Sequence, residues 1–203
     1  MKLLLNLLLC LSFWGACTAL PAKAKSRPDL VSNKLLMDIP IRVLLEEKSA
    51  TTHLNWKLEC PQAFFLFLPE KKQKKTAFQS SVAAITYQMG SFYINGARQN
   101  ANHFFIVPLK GGISFRGNSF DGIFAVTHTN GICYLVNHLD IEEYVLSVIP
   151  HESVQGWPAE VQKAFCIGFR SYGISKVLER RALQEKNSKV VAYDIKNTNA
   201  HQV

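Results

Sequence analysis

Few residues of this chain are spaced for chemistry, and the best candidates crowd into one stretch. Asp140, Glu142, Glu143, Glu152 and Glu160 fall there, with His151 beside Glu152, Trp157 just beyond, and Arg170 in an apolar string. A carboxyl group moves protons usefully only where its surroundings keep it protonated near neutral pH, which burial against apolar walls achieves. On residue chemistry alone Glu152 reads as a solvated loop glutamate. His151, its neighbour in an extended loop, is expected to point away from it and into solvent. Arg170, if buried, must meet an anion or an acceptor. A salt bridge to Glu142, Glu143 or Glu152 is the expectation, and pairing with Glu152 would work against any role of Glu152 as an acid. Lys163 and Tyr172 read as a surface and a packing residue.

The cysteines exclude other chemistry. Of five, Cys10 and Cys17 lie in the N-terminal segment expected to be a signal, which leaves Cys60, Cys133 and Cys166. None stands in a CxxC spacing, so neither a disulfide framework nor a zinc knuckle is written here. Cys133 and Cys166 sit in apolar strings and read as core thiols.

The elements that must position these groups change character along the chain. Lys2 precedes an apolar run, Leu3 to Trp14, and then small residues, which is the layout of a secretory signal peptide. The run is short for a membrane span of roughly 20 apolar residues. Cleavage after Ala19 fits, Ala22 and Ala24 offer a second site, and Gly15-Ala16-Cys17 leaves lipidation of Cys17 open. Segment 1–19 (or to 24) is therefore expected to be a signal, 20–36 a linker, and 37–203 one domain. The net charge is +8, and loss of Lys2 with the signal leaves +7. Part of the excess is one run, Lys71, Lys72, Lys74 and Lys75, expected as a solvated loop; an acidic polymer is the partner that such charge would suit, with nucleic acid excluded by export. A membrane enters only if the signal is retained or Cys17 is lipidated.

From Met37 to Leu45 apolar residues alternate, as in a half-buried strand. Trp56 to Cys60, Phe64 to Leu68, Val82 to Tyr87, Ser91 to Ile94 and Phe104 to Leu109 are further strands. Gly122 to His128 and Ile132 to Asn137 flank an Asn130-Gly131 hairpin turn. At Asp140 the period becomes helical. Asp140 and Glu143 form a capping box, Ile141, Tyr144, Val145 and Val148 share a face, and Pro150 is expected to stop the helix, leaving a loop from His151 to Trp157. Pro158 opens a second helix, to about Gln184, whose apolar residues surround it between Val161 and Tyr172 and predict burial in the domain centre. The class is α+β: a β-rich N-terminal part leading into a two-helix catalytic-type segment.

Several motifs in order resemble one family. Phe115-Arg116-Gly117, Val136-Asn137-x-Leu139-x-x-Glu142-Glu143-Tyr144, Val148-x-Pro150-x-Glu152, Trp157-Pro158-x-Glu160-x-x-Lys163-Ala164 and Arg170-Ser171-Tyr172 are similar to the successive elements of the stage II sporulation protein D / LytB family, most strongly over residues 113–203. The resemblance implies an exported protein acting on peptidoglycan glycan strands. It leaves three readings open: a lytic transglycosylase of septal wall remodelling, a non-catalytic wall-binding protein that enhances a cell-wall amidase, or a structural envelope protein that retains only the fold. The family's catalytic glutamate falls on Glu152. Arg116, Trp157 and Arg170 are the substrate-binding candidates: Trp157 by stacking on a sugar face, Arg170 by holding a muramyl carboxylate if it is not in a salt bridge. Val154 and Trp157 are candidates for the apolar wall.

In the lytic chemistry one glutamic acid suffices. It protonates the bridging oxygen, then as carboxylate takes the proton of the sugar's own 6-hydroxyl, which closes on the anomeric carbon to a 1,6-anhydro product. The sequence departs from the family in places. Ser153 replaces the usual Met after the glutamate. In the late segment, Asp194 to Val203, Lys196 and His201 hold the positions where some members have zinc-binding cysteines. No cofactor and no metal site are therefore expected, and the domain reads as incomplete at its C-terminus.

Overall fold

The computed structural model of the protein describes residues 39–69, 75–78, 80–154, 156–187 and 191–197. The expected signal and linker, Met37, Lys71, Lys72, Lys74 and His201 lie outside the described residues.

Alternating and continuous apolar runs fold into two sheets, of seven and six strands. The larger contains β1 (Pro40–Ser49), β3 (Phe64–Phe67), β4 (Lys75–Phe78), β8 (His103–Pro108), β11 (Ile123–Thr129), β12 (Ile132–Asp140) and β13 (Ile195–Lys196), ordered β13-β1-β12-β11-β8-β3-β4. The smaller contains β2 (Leu54–Glu59), β5 (Val82–Gln88), β6 (Ser91–Ile94), β7 (Ala97–Arg98), β9 (Ile113–Phe115) and β10 (Asn118–Phe120), ordered β10-β9-β2-β5-β6-β7. Neighbours pair antiparallel, except β13, which runs parallel to β1. The lysine run is not wholly loop, since Lys75 opens β4.

The predicted strands all form, and the Asn130-Gly131 hairpin closes as expected. Thr129 pairs with Ile132, and Asn130 and Gly131 take φ of 51° and 75°, the left-handed values that a two-residue turn needs.

One core fills the space between the sheets. Trp56, Leu58, Ile85, Phe92 and Ile94 of the smaller sheet meet Phe64, Leu66, Phe104, Phe124 and Leu135 of the larger. Each such side chain contributes about 1.5–3 kcal/mol by leaving water. A second core lies further along the same face of the larger sheet. Ile41, Val43 and Leu139 pack there on α1 (Ile141–Glu152) and on Val177 of α2 (Ala159–Asn187). Period-2 alternation puts Ile41, Val43, Leu135 and Leu139 on that one face. The smaller sheet and the helices therefore stand side by side on it.

Two expectations about the helices fail. Pro150 does not stop α1, which runs to Glu152. Proline removes only the bond to the Leu146 carbonyl, and Leu146 is exposed at 70%, so water can satisfy that oxygen. Ser153 then closes the end, donating its backbone N–H (2.9 Å) and its Oγ (2.7 Å) to the Ile149 carbonyl. Nor does α2 lie in the domain centre. Gly173 and Val177 are buried, but Ile167 and Leu178 are 62% and 59% exposed. The sheet face is already occupied by α1 and the smaller sheet, so α2 packs as an outer layer and keeps a solvent side. Cys166 accordingly is only half-buried, whereas Cys60 and Cys133 are core thiols.

Candidate functional site

Between the smaller sheet and α1 the shared face is left uncovered, and a cleft of about 800 Å³ opens there. Val43 and Leu45 of β1 and Asn137 and Leu139 of β12 form its floor. The β9–β10 hairpin supplies one wall, from Gly117 to Phe120. Its turn is Arg116-Gly117, with Phe115 paired to Asn118 and Arg116 at φ 51°.

The other wall is one face of α1. Tyr144, Ser147, Val148, His151 and Glu152 line the cleft, at the three- and four-residue steps that stack along a helix. The frame of α1 is set at its start. Asp140 accepts from the Glu142 N–H at 2.9 Å, and the Glu143 carboxylate accepts from the Asp140 N–H at 3.1 Å, which is the expected capping box. Glu152 sits on the last turn, half-buried. It is not a loop residue, and His151, although exposed, borders the same cleft rather than pointing away. Successive helical residues diverge by about 100°, not by the half-turn of a strand.

Tyr144 is buried beneath this wall. Its hydroxyl is pushed up to about 12 by burial, then by Tyr172 and by the Glu152 charge, so it stays a neutral phenol beside the carboxyl group. Glu152 is the one carboxylate among the described residues lining the cleft, and no lysine or arginine lines it. Val154 and Trp157 are not among the residues lining it: Val154 is 58% exposed, and Trp157 packs at a tilt on Phe165, with ring centroids 5.0 Å apart. The apolar surface comes from Val43, Leu139, Val148 and Phe120 instead.

The other candidates take fold-level partners. Arg170 grips Glu142 through Nε and Nη2, both at 2.6 Å, and this bond holds the Glu142 carboxyl below its ordinary range. Glu152 is thus left out of the arginine's pair. Arg116 lies over the Phe115 ring and reaches Glu46 at 2.7 Å, outside the cleft lining. Lys163 pairs with Glu160 at 2.8 Å on the surface. In the late segment, Lys196 bonds Glu47 at 3.0 Å, and Asp194 is buried against Arg42 at 2.6 Å. Among the described residues no group of three or more His, Cys, Asp or Glu is placed to hold a metal ion.

Sequence reasoning missed Asn137, Ser147 and Phe120. Asn137 was legible as a polar residue at an inward position of β12, since it alternates with Leu135 and Leu139. Phe120 was hidden by the shortness of β10. Also among the described residues, no helix is long and apolar enough to cross a membrane.

Comparison with known proteins agrees with the motifs. Over 98 residues the chain is 33% identical to an uncharacterized protein of Brachyspira hyodysenteriae, a match covering 48% of this chain and 25% of that protein. The chain thus spans about a quarter of the length of the curated relative it matches. No solved structure matches. The family model for stage II sporulation protein, SpoIID, matches residues 129–203. That stretch carries the capping box, the cleft wall with Glu152 and all of α2, and over it the chain is similar to the stage II sporulation protein (SpoIID) family.

Proposed function

We propose that this is an exported peptidoglycan-remodelling protein, a lytic transglycosylase in which Glu152 acts as acid and then as base. The match of residues 129–203 to the stage II sporulation protein family supports a cell-wall-related function. The finer reading is carried by one observation: among the described residues, the cleft is lined by a single carboxylate. Hydrolytic glycosidases generally need two, one for the leaving oxygen and one for water or a covalent intermediate. A lone Glu152, half-buried among Tyr144 and Val148, suits the route in which the sugar's own 6-hydroxyl displaces the leaving group.

The steps follow from that placement. Glu152 delivers its proton to the bridging oxygen as the glycosidic bond breaks. Positive character grows at the anomeric carbon while the carboxylate forms beside it, which stabilises the charge. The carboxylate then removes the 6-hydroxyl proton as that oxygen bonds to the anomeric carbon. The glutamic acid is restored, no water is consumed, and the product carries a 1,6-anhydro ring. Export to the periplasm or cell envelope follows from the same reading, with the chain's net charge of +8 suited to the anionic wall.

Digestion of purified glycan strands followed by mass spectrometry tests this. Anhydro-muramyl ends are expected, falling by about a hundredfold or more in Glu152→Gln. Ends that persist in that variant, or that carry water instead of the anhydro ring, would refute it. A second reading, a non-catalytic amidase enhancer, draws on the exposed Ile167 and Leu178 of α2 as a surface for a partner enzyme. It predicts faster amidase turnover with no glycan cleavage.

A further inference from the structure

The cleft floor holds a polar side chain that the fold does not use. Asn137 is only 4% exposed and lines the cleft. Its Oδ1 is buried and accepts no hydrogen bond, and among the described residues nothing accepts from its Nδ2. Asparagine has a carbonyl acceptor and two N–H donors to satisfy, and interiors rarely leave such a group unpaired without a reason.

The local backbone fixes which end is free. Gly122 has φ of 91°, and a Cβ placed on it would lie 3.0 Å from Asn137 Oδ1 and 2.3 Å from the His138 carbonyl oxygen. Only glycine allows this approach. With Oδ1 packed under Gly122, the planar amide leaves Nδ2 as the end that can serve the cleft.

The surroundings say what Nδ2 would meet. Val43, Leu139 and Val148 give the cleft apolar surface, and no lysine or arginine is among the described residues lining it. An anionic ligand group would find no lysine or arginine to pair with there. A neutral group with an oxygen acceptor at one end and a methyl at the other would find both of its partners.

We propose that Asn137 is a positioning residue that reads the acetamido group of an N-acetylated sugar in the cleft. Nδ2 donates to the acetamido carbonyl oxygen, and the methyl lies against the aliphatic side chains of the floor and of α1. This rests on the glycan-cleaving reading and adds to it the residue that sets the sugar's register relative to Glu152. A site built to hydrogen-bond one substituent discriminates strongly against the analogue that lacks it.

The experiment uses Glu152→Gln, so that ligands bind without being cut, and two neutral β-1,4-linked tetramers, one of N-acetylglucosamine and one of glucose. Titration calorimetry is expected to give about tenfold or greater preference for the acetylated tetramer. Asn137→Leu and Asn137→Asp are each expected to erase that preference. Thermal unfolding supplies a readout that a structural role would move the other way. Leucine matches asparagine in shape and removes the orphan oxygen, so Asn137→Leu is expected to unfold at an equal or higher temperature. If the preference survives in both variants, or Asn137→Leu unfolds markedly earlier while still discriminating, Asn137 serves only the fold. If both tetramers bind the parent equally, this inference fails and the glycan reading stands. If neither binds, both fail.

Discussion

Arg170 on α2 holds Glu142 on the first turn of α1 by two hydrogen bonds of 2.6 Å. The pair joins the helices at the end of α1 opposite Glu152. It also decides what Arg170 is free to do, because the Nε–Nη2 edge that would grip a ligand carboxylate in bidentate fashion is already taken by Glu142.

Arg170→Ala is therefore expected to act on the fold, and weakly. The two side chains are 37% and 56% exposed, so solvent screens the pair and its contribution to stability is small. For a chain of this size that is a change in Tm of about 2–4 °C or less. Glycan turnover is expected to stay within about threefold of the parent. A tenfold rise in KM at unchanged Tm would instead assign Arg170 to a substrate carboxylate. The exchange Arg170→Glu with Glu142→Arg provides the control, recovering the stability lost by either change alone.

The fold and the site were legible to different depths, for physical reasons. Strand identity was written in period-2 alternation, as in Ile41 and Val43. The start of α1 was written in Asp140 and Glu143, because caps are local chemistry. The end of α1 was misread because the cost of Pro150 depends on whether the freed Leu146 carbonyl meets water, a tertiary fact. The burial of α2 was misread because an all-round apolar helix needs neighbours on every side, and the sequence does not say how many the sheet face has room for. Glu152 was found through its motif. Asn137 and Phe120 join it only where β12, β10 and α1 converge.

Asp194 carries a heavier structural load than its place in the late motif suggests. Its carboxylate is 1% exposed, takes Arg42 Nη2 at 2.6 Å and Nε at 3.1 Å, and accepts the Arg42 backbone N–H at 2.9 Å. Arg42 also donates to the Val191 carbonyl at 2.6 Å. These bonds hold β13 against β1. Removing one partner of a buried pair strands the other charge at a cost of about 3–5 kcal/mol, lowered here because Arg42 is 22% exposed. Asp194→Ala is expected to cost about 2–4 kcal/mol in urea unfolding. An equal loss in Asp194→Asn would show that the charge matters; a neutral outcome would show that the pair adds nothing.

Stability is expected to fall in mild acid because of His138. Its imidazole is lowered to about 3, first by burial, then by Arg42 and His103, and Phe105 meets its ring at 5.2 Å. An unfolded histidine titrates near ~6.5. Below that value the unfolded chain binds a proton that the folded chain refuses, so stability declines as pH drops from ~6.5 toward about 3 and is flat above. The depressed Glu142 carboxyl acts in the same direction, but only below its unfolded value of 4.5. The interval above about pH 5 therefore isolates the histidine. Tm measured from pH 7 to 5 is expected to fall in the parent and to fall less in His138→Gln. Parallel curves would mean that His138 takes up its proton in the fold as readily as out of it.

Gly173 couples this architecture to the cleft. It lies in α2 where a Cβ would stand 2.7 Å from Ile141 Cδ1, 3.3 Å from Ile41 Cδ1 and 3.3 Å from Tyr144 Cε1. Mid-helix glycine ordinarily costs about 1 kcal/mol relative to alanine, so its presence marks close approach of α2 to α1 and β1. In Gly173→Ala the helix-propensity gain opposes a clash that a swing of the Ile141 methyl can relieve. A net change within about 1 kcal/mol is expected. Gly173→Val adds two branches where only one methyl can be accommodated, and is expected to cost about 2–4 kcal/mol through overpacking and helix propensity. Because Tyr144 is both the residue pressed and a lining residue of the Glu152 cleft, the folded fraction of Gly173→Val is expected to bind glycan more weakly than the parent. Unchanged affinity per folded molecule would show that α1 moves as a rigid body and carries Glu152 with it.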